Sequence, residues 1–275
     1  MDDKLSDVLG HISRPQLADH PLTRAFLDAG VRLLEEELSA KHTDEGRPKT
    51  RSLLRVTRSR VISEVLRGAK HLRKGGPGSL RDRWRYFSDY LGDLIRYALR
   101  SHRWGVRREL ARQAVDAIGT DRLSAVVHEV AYRDLKLMTS DPGVRFKTLI
   151  TAFADRDPVV AEALSRSYRD ATEAWRAVYA AFFRTRGLRL RPGVSLEDIT
   201  IILTATAEGL TLRALGDRTA PVLDHQRRRC LLGTAALALM IACVDQGNGD
   251  QGNGESLDAA ADRMADPSSG AAPAR

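Results

Sequence analysis

The chain has 275 residues, a formal net charge of +8 and an isoelectric point near 9.8, and 43% of its residues are hydrophobic. This composition allows a globular protein with a sizeable core and favours an anionic partner. Two cysteines exclude a disulfide framework, and the acidic start of the chain lacks the apolar run of a signal peptide, so we expect a cytoplasmic protein.

The first helix is expected after an N-terminal extension. In residues 1–21, Pro15 and Pro21 interrupt short apolar stretches, so one or two amphipathic turns at most are predicted there. From Leu22 the apolar residues follow helical spacing. This helix is expected to end before residues 41–49, a polar stretch that is typical of a loop.

Positive charge is concentrated between Arg47 and Arg112. The segment holds 19 lysines and arginines against five acids, a net charge of +14, so the rest of the chain sums to −6. Charge of this density is typical of a surface that binds a polyanion, most simply a nucleic-acid backbone. A second helix is predicted from about Thr50 to Leu72, with arginines opposite its apolar face.

A short aromatic helix is predicted after the glycine-rich turn at residues 75–78. This third helix should cover residues 79–87, and Ser88 or Asp89 should cap the fourth. Trp84 and Phe87 lie three residues apart on one helical face. That spacing favours a place in the core of a small domain over direct contact with DNA.

The C-terminal half carries further helix start signals, such as an acid before proline and a serine followed three residues later by an acid. The expected helices run from Thr120 to Met138, from Asp157 to Gly187, from Ser195 to Gly216 and from Pro221 to Val244. The apolar run at residues 231–244 is too short to span a bilayer and is typical of a buried helix. No convincing alternation indicates a strand, so we predict an all-α fold. The Gly- and Asn-rich repeat at residues 245–254 begins a tail, residues 246–275, that is predicted to be disordered.

This pattern resembles the TetR family of bacterial transcriptional regulators over about residues 22–245. Residues 23–30, Thr-Arg-Ala-Phe-Leu-Asp-Ala-Gly, are similar to the family's first-helix motif. Residues 83–87, Arg-Trp-Arg-Tyr-Phe, with Leu91 and Leu94 after them, are similar to the end of its recognition helix. Two later stretches, at residues 155–187 and 196–210, look like its long penultimate helices and its dimerisation pair.

The chain departs from that family in three places. Gly-Pro-Gly-Ser at residues 76–79 replaces the usual Ala-Gly-Val-Ser, Tyr90 replaces a frequent lysine, and the loop at residues 41–49 and the basic second helix are longer than is usual. Such departures are compatible with an unusual operator or with lost DNA binding.

The resemblance implies four regions: an extension at residues 1–21, a helix-turn-helix DNA-binding domain at 22–100, a larger ligand-binding and dimerisation bundle at 101–245, and the tail. It also implies a homodimer, most often a repressor, that binds double-stranded operator DNA. A small-molecule effector would release it by favouring a second conformation. No membrane association is expected.

The predicted DNA-binding residues follow from the geometry of a helix-turn-helix, whose second helix enters the major groove, where arginine pairs with guanine. They are Arg58, Arg60, Lys74, Ser79, Arg81, Arg83, Arg85 and Tyr86. We expect Arg83 to face solvent in the free protein. The alternative for these arginines is a merely solvated helix surface.

A ligand pocket in the bundle rests on the family analogy, and an ordinary filled core is the alternative for each residue. The expected lining is Trp104, His128, Tyr132, Phe146, Tyr168, Trp175 and Tyr179. A dimer interface is expected because the last helix is apolar on more than one face. Its expected members are Leu203, Leu210, Leu232, Ala236 and Leu239.

No enzyme, metal site or cofactor is expected. The seven histidines lack metal-ligand spacing, and the glycines at residues 75–78 lack the spacing of a phosphate-binding loop. Three other interpretations stay open: a helical interaction module on the same fold that no longer reads DNA, a non-specific nucleic-acid-binding protein, and an unrecognised helical enzyme. Exposed aromatic residues on the basic face would favour the second.

Overall fold

The computed structural model describes residues 4–39, 56–68, 75–100, 109–110, 112–114, 122–245 and 256–258. Within these residues the chain is mostly α-helical, as predicted. The α-helices are α1 (Pro21–Ser39), α2 (Arg58–Gly68), α3 (Pro77–Arg83), α4 (Phe87–Ala98), α5 (Leu123–Ser140), α6 (Pro142–Thr151), α7 (Pro158–Arg186), α8 (Leu196–Gly216) and α9 (Leu231–Cys243). The loop predicted at residues 41–49, the ends of the second predicted helix and most of the predicted tail lie outside the described residues.

Local capping explains why several helices begin and end where the sequence predicts. The Asp157 carboxylate accepts a hydrogen bond from the Val159 amide at 2.8 Å at the start of α7. Ser195 Oγ accepts from the Asp198 amide at 3.0 Å, and Asp198 accepts from the Ser195 amide at 2.9 Å, which completes the predicted capping box of α8. Gly187 ends α7 with a φ of +62°, a conformation that glycine adopts without strain.

The third helix ends earlier in the chain than the spacing predicts, and the fourth helix begins earlier. α3 ends at Arg83 because Trp84 adopts an extended backbone conformation, and α4 then begins at Phe87. Asp89 caps α4 from its third position by accepting a hydrogen bond from the Tyr86 amide at 3.1 Å. The residue that precedes this helix is therefore Tyr86 and not Ser88.

One helix and four short strands were not predicted. Asp141 accepts from the Gly143 amide at 2.7 Å and starts α6, with the same acid-before-proline signal that marks α7. The last helix begins at Leu231, not after Pro221, because β2 (Leu223–Asp224) and β3 (Arg229–Cys230) form an antiparallel hairpin before it. A second two-stranded sheet pairs β1 (Arg189–Leu190) with β4 (Val244–Asp245). The prediction of no strands was therefore wrong in these short segments.

The described residues form two compact units. Unit 1 comprises those up to residue 100 together with Ser140–Arg169, and unit 2 comprises the rest. The core of unit 1 joins Phe26, Trp84 and Tyr90 to Phe146 and to Leu5, which is completely buried. Residues 4–20, which we predicted as an extension, are thus part of unit 1. Residues 140–169 also belong to it, because their apolar side chains pack against α1.

Unit 2 has its own core, built from α7, α8 and α9. Phe182, Ile199, Leu203 and Met240 are buried together there. A smaller cluster around Trp175 and Val178 lies nearer the start of α7.

Candidate functional site

In unit 1, a buried carboxylate anchors the connection between α3 and α4 through hydrogen bonds. Trp84 is 2% exposed and its indole Nε1 donates to Asp93 Oδ2 at 2.9 Å. Asp93 is completely buried and also accepts from the amides of Gly10 and His11, at 2.8 and 3.0 Å. The predicted core position of Trp84 is confirmed. The N-terminal segment is tied to α4 through a carboxylate that four donors share, once Arg96 at 3.4 Å is included.

Arg83 does not face solvent, so that prediction was wrong. Its side chain is only 5% exposed, and its Nε donates to Thr23 Oγ1 at 2.8 Å while Nη1 donates to the Ser79 carbonyl at 2.9 Å. Nη2 lies 3.2 Å from His20 Nδ1. Burial lowers the pKa of Arg83 and Asp82 acts in the opposite direction. An arginine committed to three internal partners cannot at the same time contact DNA.

Three arginines and a tyrosine form what we call the basic patch: Arg58, Arg81, Arg85 and Tyr86. The Arg58 guanidinium lies 5.8 Å from the centre of the Phe87 ring, and that of Arg85 lies 5.6 Å from the centre of the Tyr86 ring. α2 and the α3–α4 connection thus each place a guanidinium beside an aromatic ring of residues 86–87. All four patch residues are exposed, with Tyr86 at 59%. Among the residues that the structure describes, none of the three arginines forms an ion pair.

Other predicted DNA contacts are engaged elsewhere. Arg60 pairs with Glu37 at 2.6 Å and with Glu36 at 3.3 Å, so its charge is partly neutralised within the unit. Ser79 is half-buried, and its carbonyl accepts from Arg83. Lys74 lies outside the described residues. The excess of +14 in the sequence is therefore only partly available at the surface.

Unit 2 contains a cavity of about 80 Å³ between α5, α7, α8 and α9. Its wall is mainly apolar, and the principal lining residues are Val126, Val130, Trp175, Val178, Tyr179, Phe182, Leu203, Ala207, Leu232, Ala236 and Met240. Asp134 and Thr204 supply polar groups, and Asp134 is buried. An apolar wall with a few convergent polar groups is typical of a small-molecule site.

The structure brings only two of the predicted pocket residues, Trp175 and Tyr179, to this cavity. Phe146 lies in the core of unit 1, and the Tyr168 ring lies under the Lys147 ammonium there, 3.7 Å from its centre. These two predictions were wrong, because the stretch at residues 140–169 packs in unit 1. Trp104 lies outside the described residues.

Tyr132 and His128 belong to a polar cluster beside the β2–β3 hairpin and do not line the cavity. The Tyr132 hydroxyl lies 3.0 Å from His225 Nδ1. His128 Nδ1 is buried and has no hydrogen-bond partner among the described residues, while its ring lies against Gly233. Burial lowers the pKa of His128, and Arg229 acts in the same direction. The hairpin turn contains Arg228, which adopts a φ of +52° and forms an ion pair with Glu129.

The predicted dimer interface needs a correction. Leu203, Leu232 and Ala236 are buried within unit 2, whereas Leu210 and Leu239 are half-buried. The large apolar side chains that remain exposed on the last two helices are Ile201, Ile202, Leu212, Leu231 and Ile241. We call these five residues the apolar face. Helical periodicity alone does not reveal which of two apolar sides of a helix packs inside its own unit.

No group of three or more potential metal-ligating side chains occurs among the described residues. Of the helices described, α8 is long and apolar enough to cross a membrane, by length and composition only. One side of α8 packs in the core of unit 2 through Ile199, Leu203 and Ala207.

Comparison of the chain with family models, with curated proteins and with solved structures finds no match. The function must therefore be inferred from the residues and contacts of this chain. Sequence reasoning did not identify three residues that bind the end of α3 and the residue after it: His20, Thr23 and Asp93. A histidine before Pro21 at a helix start was a local signal for a capping role; the partners of Asp93 gave no local signal.

Proposed function

We propose that the chain is a homodimeric, TetR-like transcriptional regulator of the cytoplasm. Unit 1 would bind double-stranded operator DNA, and unit 2 would take a small apolar effector. The observation that carries this proposal is the basic patch, where three exposed arginines without ionic partners lie on α2, α3 and the residues just after α3. Unpaired surface cations are the groups that gain most from contact with phosphate.

The patch is suited to a duplex because one of its arginines lies on the helix that would enter the groove, while the other two lie on either side of that helix in the chain. Arg81 is exposed on the short α3, which would enter the major groove, and its planar fork could read guanine O6 and N7. Arg58 at the start of α2 and Arg85 after α3 would bind flanking phosphates. The backbone of Gly76 and Gly78 has open space where a side chain would stand, so a DNA strand could approach closely.

The apolar face supports assembly into a dimer. Leu212 is 51% exposed and Ile241 is 64% exposed, and both lie on the helices that resemble the family's dimerisation pair. Large apolar side chains exposed on two helices are typical of an interface. A two-fold dimer would carry two copies of α3, as a near-palindromic operator requires.

The cavity sets a limit on the effector. At about 80 Å³ it is smaller than the roughly 150 Å³ cavity known to hold benzene. A larger effector must therefore move the helices that line the cavity. Binding to a widened form only would shift the population between two conformations, which is what release from an operator needs.

The test is selection of duplexes from a random pool, followed by mobility-shift titration of the enriched sequence. The double variant Arg81→Ala/Arg85→Ala should weaken binding about 100-fold, since each such contact contributes about 1–3 kcal/mol. Arg156→Ala removes an exposed arginine from the α6–α7 connection and should bind as the wild type does. If six to ten phosphates are contacted per dimer, affinity should also fall by about three to five orders of magnitude between 50 and 200 mM salt.

A second candidate function follows from the exposure of Tyr86 among arginines. An aromatic ring on a basic surface is suited to stacking on an unpaired base. Tighter binding to single strands than to any duplex, lost in Tyr86→Ala, would favour this non-specific function. If no nucleic acid binds at all, the helical interaction module becomes the better interpretation.

A further inference from the structure

The buried guanidinium of Arg83 connects α3 to α1 and to the residues before it. We call His20, Thr23, Ser79 and Arg83 the arginine clamp. Its contacts are Arg83 Nε to Thr23 Oγ1 at 2.8 Å, Nη1 to the Ser79 carbonyl at 2.9 Å and Nη2 to His20 Nδ1 at 3.2 Å. Thr23 Oγ1 donates in turn to the Leu17 carbonyl at 2.6 Å. A buried charge is stable only when such partners are supplied, so these contacts fix where the end of α3 lies.

The tautomer of neutral His20 follows from its neighbours. A guanidinium has only donors, so His20 Nδ1 must accept from Arg83 Nη2. The same nitrogen accepts from the Leu22 amide at 3.0 Å, which caps the first turn of α1. Both contacts need the lone pair of Nδ1, so the ring proton of neutral His20 stands on Nε2. The residue is exposed, and protons reach it from water.

A second proton on His20 would oppose both contacts. It would remove the acceptor and place a positive charge 3.2 Å from the Arg83 guanidinium. The acid next to His20 in the chain, Asp19, accepts from the amides of Leu5 and Ser6. Asp82 beside Arg83 pairs with Arg14 at 3.9 Å, and Arg24 follows one turn along α1. Among these groups, Arg83 is the charge that directly contacts the ring nitrogen.

The clamp lies between the two arginines of the basic patch that flank it. Arg81 and Arg85 each stand two residues from Arg83. On the backbone side, the Ser13 amide donates to the Arg83 carbonyl at 2.7 Å, and the Arg85 amide donates to Ser13 Oγ at 3.1 Å. The segment is therefore anchored through both its backbone and the Arg83 side chain, and the side-chain anchor sets the position of α3 relative to α1.

We propose that Arg83 and His20 are positioning residues for the basic patch, and that protonation of His20 releases α3 and weakens nucleic-acid binding. The effect on nucleic-acid binding rests on the proposed function, but the clamp itself can be measured separately by hydrogen exchange. Neither residue touches nucleic acid in this scheme. Acid would thus lower affinity by misplacing Arg81, although Arg81 itself keeps its charge.

The decisive variant is His20→Asn. Asparagine places its Oδ1 close to the position of Nδ1, caps a helix well and does not titrate in this range. Hydrogen exchange of the amides at residues 81–84 should be measured for wild type and variant at the same pH. At about pH 8 the two should agree, and at about pH 5.5 the wild type should exchange about tenfold faster, as expected for one lost hydrogen bond to a charged group. Equal exchange at both pH values would overturn the clamp.

The DNA measurement separates the clamp from the proposed function. With the selected duplex, the wild type should lose about tenfold more affinity than His20→Asn between about pH 8 and pH 5.5. His11→Asn makes the same substitution in the same unit, outside the clamp, and should keep the wild-type pH profile. If exchange differs as expected but neither protein binds DNA, the clamp stands and the proposed function fails. If wild type and His20→Asn bind DNA with the same pH profile and their amides exchange equally fast, the function stands and the clamp fails.

Arg83→Lys gives an independent check. Lysine keeps the charge but cannot reach three partners with a planar fork. The amides at residues 81–84 should exchange faster than in wild type at both pH values, with little remaining pH effect beyond the intrinsic rate. A variant that exchanges as the wild type does at both pH values would contradict the positioning role. Should Arg83→Lys fail to fold, the His20→Asn comparison still decides.

Discussion

Charged side chains are buried in unit 1, whereas unit 2 leaves more apolar side chains exposed. Among the described residues, Arg83, Asp93, Arg100 and Lys147 are buried in unit 1, and Asp134 alone of the charged residues is buried in unit 2. Unit 2 instead has the apolar face and the cavity. Buried charges with directional partners permit one geometry, while apolar contacts tolerate rearrangement. Unit 1 is therefore suited to presenting a fixed surface, and unit 2 to adapting to a partner or ligand.

The largest expected effect tests the polar character of unit 1. Asp93→Ala should destabilise the protein by about 3–5 kcal/mol, because it leaves the buried Trp84 indole and two backbone amides without their acceptor, and Arg96 with Glu162 as its remaining ionic partner. Urea unfolding followed by circular dichroism measures this loss. Asp82→Ala, which removes an exposed carboxylate, should cost no more than about 1 kcal/mol. A similar small loss for both variants would mean that the buried network contributes little.

The next effect tests the apolar face of unit 2. Leu212→Arg should raise the dissociation constant of the proposed dimer at least about 100-fold, roughly 2.8 kcal/mol, because a charge would be buried at the proposed interface. Light scattering at micromolar concentration measures the change. Phe153→Arg alters an apolar residue that is equally exposed in unit 1 and should leave the dimer intact. A wild-type protein that is monomeric at this concentration would contradict the interface. Ala236→Arg is the poorer test, since Ala236 lies in the core.

A smaller effect tests whether the cavity is empty space that a side chain can fill. Ala207→Leu should stabilise the protein by about 1 kcal/mol and abolish binding of xenon, a small apolar probe, as seen by nuclear magnetic resonance. Ala177→Leu adds the same atoms to an exposed position of α7 and should leave xenon binding unchanged. Destabilisation by Ala207→Leu would instead indicate overpacking and a tighter unit than the cavity suggests.

The smallest expected effect is a dependence on pH in unit 2. Since burial lowers the pKa of His128, the folded state binds this proton less well than the unfolded state. The free energy of unfolding should therefore be highest above about pH 6.5, the ordinary value for histidine, and fall as the pH decreases below it. Calorimetry between about pH 7.5 and 5 should show a shallower slope for His128→Gln than for wild type. If His128→Gln has the same slope as wild type, other titratable groups cause the dependence of stability on pH.

Local signals predicted well those features that depend on neighbouring residues. The caps at Asp157 and Ser195 and the glycine after α7 involve hydrogen bonds over two to four residues, so the sequence contains both partners. The same signal at Asp141 marks α6. The two-residue strands of the hairpin are too short for any alternation to be visible, and so their sequence could not predict them.

Arg83 illustrates why the candidate site could be predicted only in part. Its charge and its neighbours Arg81 and Arg85 indicate one basic surface, yet its guanidinium binds Thr23 and His20, about 60 residues earlier. No pattern over a few residues distinguishes an arginine that has such distant partners from one that has none. The same holds for Phe146 and Tyr168, whose aromatic character predicts burial but not the unit in which it occurs.

By itself the sequence determined the helical character, most helix starts and the concentration of positive charge, because these depend on composition and on contacts within a turn or two of helix. The tertiary structure decided which arginines remain without ionic partners at the surface and which aromatic residues line the cavity. It also decided that α6 and the start of α7 belong with the N-terminal helices. Those outcomes depend on contacts between residues far apart in the chain, and such contacts form only when the helices pack.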